Sequence, residues 1–184
     1  MKAVNYKKNG GKGYAVRTGM KYTEGKFTLM LDADGATDVN EIENFLNLAR
    51  KKSNSNDFIF IGSRSQVEKT LQDRPWYRRI PSIVNNIIVK YILGVRKIKD
   101  TQCGFKLFSK KCGKELFSKM HLNRWAFDVE LLILAQKNKV EVSEIAVEWQ
   151  EMDGGNLFVL QATISFFRDY IGLFFFYLFG VWKY

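Results

Sequence analysis

Two short apolar runs, Phe27–Leu31 and Phe58–Ile61, constrain the fold more than any other feature of the chain. Each is too short for a helix, and each stops at polar residues: Asp32-Ala33-Asp34-Gly35 after the first, Gly62-Ser63-Arg64 after the second. An unbroken apolar run of this length reads as a strand covered on both faces. Helical patterns lie around them. Residues 12 to 24 read as a helix stopped by Gly25. Asp38 with Glu41 is a capping-box-like start, after which Ile42, Phe45, Leu46 and Ala49 share one helical face. Ile80, Val84, Ile87, Ile88 and Tyr91 mark an amphipathic helix running to about Gly94. Phe105–Phe108 reads as a short strand, Phe127 to about Asn138 as a helix, and Val140 to Trp149 as an edge strand with one wet face. Strands alternating with helices define an α/β sheet, in which ligands sit beyond the carboxyl ends of the strands. Asp32, Asp34 and Arg64 occupy such ends.

The 184 residues suit one domain with a sizeable core, and 46% hydrophobic with 15% aromatic residues is the composition of a folded protein. The formal net charge is +10, and residues 64 to 114 hold thirteen Lys or Arg against Glu68, Asp73 and Asp100. Such a field is either a solvated basic surface, the plainer reading of charge alone, or one that attracts polyanions: nucleic acid, a nucleotide diphosphate or an anionic membrane face. Cys103 and Cys112 are the only cysteines, which excludes a disulfide framework and fits a reducing compartment. The single His121 builds no histidine-rich metal site and reads as an ordinary surface residue. The polar, basic N-terminus predicts no signal peptide. Ile171 to Val181 is an uncharged run of eleven residues, set off from Leu157–Phe167 by Arg168 and Asp169. It is short for a membrane span. The alternatives are an interface helix anchored by Trp182, Lys183 and Tyr184, or a tail packed on its own domain.

Asp32 and Asp34 are the sharpest chemical feature. Two carboxylates one residue apart past a buried strand repel each other unless a cation holds them, and a hard divalent ion bridging to a diphosphate suits them. The plainer reading is a loop in which Asp32 caps a turn and Asp34-Gly35 makes a tight bend. Asn9-Gly10-Gly11-Lys12-Gly13 lacks the full spacing of a phosphate-binding loop, yet Lys12 and Arg17 are placed to face a diphosphate across a helix N-terminus. Asp100 is either half of a surface ion pair with Lys99 or a carboxylate that positions or deprotonates an acceptor. Cys103 is expected to pack rather than react. Asp128, in Arg124-Trp125-Ala126-Phe127-Asp128, is a first-turn carboxylate complementing a helix dipole or a second candidate acid.

The order of these elements carries more than any of them alone. Asn9-x-Gly11-Lys12-Gly13-x-Ala15-Val16-Arg17, Asp32-Ala33-Asp34-Gly35-Ala36, Gly62-Ser63-Arg64, Asp100-Thr101-Gln102-Cys103-Gly104-Phe105-Lys106-Leu107-Phe108 and Arg124-Trp125-x-Phe127-Asp128-Val129-Glu130 follow one another. The series resembles the dolichyl-phosphate β-glucosyltransferases, inverting glycosyltransferases of the A fold, over nearly the whole chain. The resemblance implies a Rossmann-like mixed sheet flanked by helices and transfer of glucose from UDP-glucose to dolichyl phosphate. The reaction would run at the cytosolic face of the endoplasmic reticulum membrane, serving protein N-glycosylation. Asp32 and Asp34 would hold Mg²⁺ or Mn²⁺ on the diphosphate, with Lys12 and Arg17 near the nucleotide. Arg64, with Arg78 and Arg79 as weaker candidates, would hold the acceptor phosphate. Asp100 is the first choice for a supporting catalytic carboxylate and Asp128 the second.

On this reading residues 1–155 form a partial catalytic domain and 156–184 a membrane-interface helical segment. Members of the family normally begin with a membrane helix and two strands that build the uridine site. Met1 falls a few residues before the Asn-x-Gly-Lys-Gly element, so the sequence predicts that both strands are missing and that the chain binds UDP-glucose weakly or not at all. Within the class the alternatives are a mannosyl donor or another polyprenyl acceptor. Outside it stand a basic RNA- or lipid-binding module without catalysis and a catalytically dead relative. No nucleic acid partner is expected, because carboxylates at a strand end repel polyanions.

Overall fold

The computed structural model describes residues 3–52, 57–64, 83–150 and 159–183, with backbone alone for 159–163. Arg78 and Arg79 lie outside the described residues. Among the latter, four strands form one sheet in the order β1-β3-β2-β4: β1 (Phe27–Leu31), β2 (Phe58–Ser63), β3 (Phe105–Ser109) and β4 (Glu141–Ala146). β3 runs antiparallel to both β1 and β2, and β4 runs parallel to β2, so the sheet is mixed and β4 lies at its edge. All six residues of β2 are buried, which is why its sequence reads as an apolar run without alternation.

Register sorts the side chains onto two faces. Phe60 stands opposite Leu107 on one face, and Ile59 and Ile61 stand opposite Phe108 and Lys106 on the other. Helix α2 (Ile42–Lys51) covers the first face, its Phe45 ring 4.8 Å from Phe105 and 6.4 Å from Phe60. On the second face Phe117 of α4 (Lys110–Lys119) meets Phe108 at 5.4 Å, and α5 (Phe127–Lys137) lies beside it. Every residue of α5 from Phe127 to Ala135 is buried, Asp128 and Glu130 included. A helix with no solvent face is enclosed by neighbours on all sides. One neighbour is α6 (Val159–Leu178), whose Tyr177 hydroxyl donates to Glu130 Oε1 at 2.9 Å. Helix α1 (Lys12–Lys21) packs on α4.

The structure corrects the sequence expectation in several places. Helix α1 stops at Lys21, four residues before Gly25, because Tyr22 and Thr23 turn back to donate to the carbonyls of Gly19 and Met20. Asp38 does cap the turn Val39–Glu41, accepting from Asn40 N–H at 2.9 Å. The reciprocal arm of the capping box is absent, since Glu41 accepts instead from Asn44 and from Glu148 N–H.

The helical stretch 83–92, here α3, ends in a π-turn over Ile88–Ile92, with Leu93 N–H bonded to Ile88 O and Val95 N–H to Val89 O. The wider turn rotates the face. Val89 is buried, whereas Ile87 and Tyr91, expected inside, are exposed. Arg168 and Asp169 do not divide the C-terminal segment: they pair with each other at 2.8 Å, and α6 runs straight through them. His121 is no ordinary surface residue. Its ring stacks on Trp182 at 4.3 Å and its Nδ1 lies 3.0 Å from Glu130, so Trp182 packs on the domain rather than standing free as an anchor.

Candidate functional site

The carboxyl ends of β1, β2 and β4 and the start of β3 all lie at one end of the sheet. Asp32 and Asp34 follow β1, Arg64 follows β2, Val147 to Gln150 follow β4, and the loop Asp100–Gly104 enters β3. Backbone hydrogen bonds knit these segments together: Asp32 N–H to Gly104 O at 3.1 Å, Val147 N–H to Ser63 O at 3.2 Å and Gln150 N–H to Ala36 O at 2.9 Å. Thr37 and Trp149 add an antiparallel bridge.

The start of α1 is brought to this end by close backbone approach. Gly11 sits at φ +98°, and a Cβ there would lie 2.4 Å from the carbonyl oxygen of Asn123. Tyr14 N–H donates to that same carbonyl at 3.0 Å. The glycine-rich stretch is therefore first a docking device for α1. Arg17 finishes the junction, donating to Met120 O at 2.7 Å and to Asn123 Oδ1 at 2.6 Å, so it clamps α1 to the segment before α5. Lys12, one turn earlier, faces the site.

Three acid–base pairs result. Lys12 Nζ lies 2.7 Å from Asp32 Oδ1 and 2.8 Å from Oδ2, and 5.4 Å from the centre of the Trp125 ring. Arg64 binds Asp100 twice, Nε to Oδ2 at 2.6 Å and Nη2 to Oδ1 at 2.7 Å, while its guanidinium stands 5.4 Å from the Trp149 ring. Asp100 thus enters the site with Arg64 as partner, not Lys99, and its own N–H donates to Glu144. Burial alone would raise the Asp100 carboxyl, but Arg64's hydrogen bonds and charge outweigh it and hold the group below the ordinary carboxylate range.

The third pair, Lys106 Nζ to Asp128 Oδ1 at 2.6 Å, is almost wholly buried, and Lys106 also donates to Cys103 O. Burial pushes the Asp128 carboxyl up, with Lys106 and the nearby Lys12 pulling it partly back and Asp32 adding to the rise. Both thiols are buried, and desolvation pushes Cys103 upward and Cys112 to about 12, so neither is reactive near neutrality.

Asp34 is exposed, and its Oδ1 accepts from Ala36 N–H at 3.0 Å, with Gly35 at φ +75° completing the tight bend. No cation is paired with it among the described residues. Reading the sequence missed Lys106 and Glu130. A lysine inside a strand covered on both faces must find a carboxylate, so the apolar setting of Lys106 was the available signal. Glu130, fully buried, accepts from His121 N–H, Leu122 N–H and Tyr177 and ties α5 to the loop before it and to α6.

Fold and site together define an α/β domain of the kind that takes a ligand across the carboxyl ends of its strands. The sequence model of Glycosyl transferase family 2 matches residues 2–117, and the chain belongs to that family. It is similar to dolichyl-phosphate beta-glucosyltransferases: 39% identical over 185 residues to that of Dictyostelium discoideum, 41% over 179 to that of Drosophila melanogaster and 38% over 187 to that of Homo sapiens. These alignments cover 100%, 95% and 100% of the chain but 56%, 54% and 57% of the relatives. The chain spans about half the length of the curated relatives it matches.

Proposed function

We propose that the chain carries the catalytic face of an enzyme that transfers glucose from UDP-glucose to dolichyl phosphate, with Mg²⁺ or Mn²⁺, at the cytosolic face of the endoplasmic reticulum membrane. The observation that carries the reading is the gathering of Lys12, Asp32, Asp34, Arg64 and Asp100 at one end of the sheet of a family 2 domain whose relatives bear the name of that activity.

The donor set fits the cation. Asp32 already binds an ammonium across both its oxygens, Asp34 presents an exposed carboxylate, and both offer only hard oxygen ligands. No cluster of three or more His, Cys, Asp or Glu suited to a metal occurs among the described residues. Two carboxylates suit a small dication that fills its remaining positions with substrate phosphate and water. Bound there, it would offset the charge that builds on the departing diphosphate.

Arg64 presents an oriented guanidinium for the acceptor phosphate, and Asp100 and Trp149 fix its direction. An acceptor phosphate is already ionised near neutral pH. Asp100, held as a carboxylate by Arg64, is therefore read as orienting Arg64 rather than as removing a proton. Asp128, buried on Lys106, attracts Lys12 and repels Asp32 through charge, and is read as part of the site's support rather than as an acid. No helix among the described residues is long and apolar enough to cross a membrane. The reading gives α6 the interfacial role: Tyr170, Leu173 and Tyr177 pack inward while Ile164, Phe167, Ile171, Phe174 and Leu178 form an exposed apolar stripe.

The test is transfer of radiolabel from UDP-glucose into organic-soluble lipid in the presence of dolichyl phosphate and Mn²⁺, run at roughly millimolar donor to allow for weak affinity. Label should enter the lipid, and Asp32→Asn should reduce the rate at least about 100-fold. Equal turnover by the variant would contradict the metal role, and preference for a mannosyl donor would replace the glucosyl assignment.

A further inference from the structure

We propose that Lys12 is the resident counter-ion of the cation site and competes with the divalent ion for Asp32, so that the ion enters with a diphosphate rather than ahead of it. The inference rests on the metal reading above and adds a binding order to it. Lys12 Nζ straddles both carboxylate oxygens of Asp32, at 2.7 and 2.8 Å, and so takes the place a dication needs.

Asp32 has a fixed backbone, and its short side chain lies in the space that Gly104 leaves open. Its N–H is bonded to Gly104 O, and its carboxyl carbon lies 2.2 Å from where a Cβ at position 104 would stand. Lys12 is the partner able to leave. The Lys12 and Asp32 side chains keep 22% and 32% of their surface, against 1% and 5% for Lys106 and Asp128, so water reaches the first pair and not the second. The ammonium stands 5.4 Å from the centre of the Trp125 ring while it holds Asp32, so it keeps that contact to draw on as the carboxylate is given up.

A bare dication approaching Asp32 meets an ammonium within a few ångströms, and like charges at that distance repel strongly. A dication carrying a diphosphate brings four or so anionic oxygens with it, and the displaced ammonium pairs with them instead. Ion and diphosphate are then positively coupled through a single side chain, each raising the affinity for the other.

The experiment is equilibrium dialysis of the full chain against ⁵⁴Mn²⁺ alone and against preformed manganese pyrophosphate, for the unaltered chain, Lys12→Met, Lys12→Gln and Asp32→Asn. Both Lys12 variants should bind Mn²⁺ alone on the order of tenfold more tightly than the unaltered chain. With pyrophosphate that advantage should vanish or reverse, because the ammonium's contact with phosphate is lost. Asp32→Asn should lose binding in both conditions. Lys12 variants that bind Mn²⁺ alone no more tightly, while Asp32→Asn loses it, would overturn the competition and leave the metal site standing. Identical binding by Asp32→Asn and the unaltered chain would overturn both.

Discussion

Asp32 owes its pose to a side chain that is absent. With no Cβ at Gly104, the carboxylate lies against the backbone that opens β3 while its own N–H extends the β1–β3 ladder. Gly104→Ala should therefore displace Asp32, lowering transfer at least about tenfold and stability by roughly 1–3 kcal/mol. Transfer rate and urea midpoint measured on the same preparation check both; unaltered values would show that the approach is not needed.

Asp100 gives a pH signature. Its carboxyl is lower in the folded chain than the ordinary 3.8, since burial raises it but Arg64 more than reverses the effect. A depressed carboxylate stabilises the fold fully above its unfolded value and loses that contribution as pH falls through the folded value. Asp100→Asn should flatten the acid limb of the stability curve below that value, measured as urea midpoints against pH. An acid limb as steep as before would contradict the pairing.

Lys106 behaves differently because water does not reach it. Truncation to Met strands a buried carboxylate and should cost about 3–5 kcal/mol, whereas Lys106→Met with Asp128→Leu should recover most of that loss. A double variant no more stable than the single one would contradict the pairing account.

At the scale of elements, α1 and α6 are held by different means. The start of α1 is set by backbone contact at Gly11, so Gly11→Ala meets both a positive φ and a carbonyl oxygen at 2.4 Å. It should lower stability by about 2 kcal/mol or more and shift Lys12 from Asp32, read as a lower melting temperature with weakened cation binding. Helix α6 is held by buried Tyr170, Leu173 and Tyr177, and the two tyrosine hydroxyls donate to Asn85 and Glu130. Its outward stripe leaves more than a third of each residue's surface exposed. Phe174→Glu should leave stability within about 0.5 kcal/mol while reducing sedimentation with anionic lipid vesicles. A loss of fold stability would show that the stripe is packed.

For the molecule as a whole, the sheet was legible from its short apolar runs, of which β2 is buried throughout and β1, at an edge, only in part. Phe27–Leu31 was read with the bounds the structure gives, and the runs at Phe58 and Phe105 only one or two residues short. A continuous apolar run leaves no ambiguity of face. Asp32, Asp34 and Arg64 were placed together for the same reason, since strand ends fix where their following residues go, whereas Asp100, ahead of β3, stood open between a surface ion pair and a site carboxylate. What the sequence withheld depends on contacts between distant segments. The π-turn at the end of α3 follows from main-chain bonds that no side-chain period records. His121 was read as surface because its partners, Trp182 and Glu130, are brought to it only by the packing of α6 on α5. The clamp made by Arg17 went unread for a similar reason: Asn123 lies more than a hundred residues along the chain. The proposed cation site joins Asp32 and Asp34 on a diphosphate. The most direct measurement is the anomalous scattering of Mn²⁺ in crystals of the chain with UDP. A peak about 2.0–2.3 Å from carboxylate oxygens of both residues, bridging to the diphosphate, is the predicted result. A nucleotide bound with its manganese away from these two side chains would contradict it.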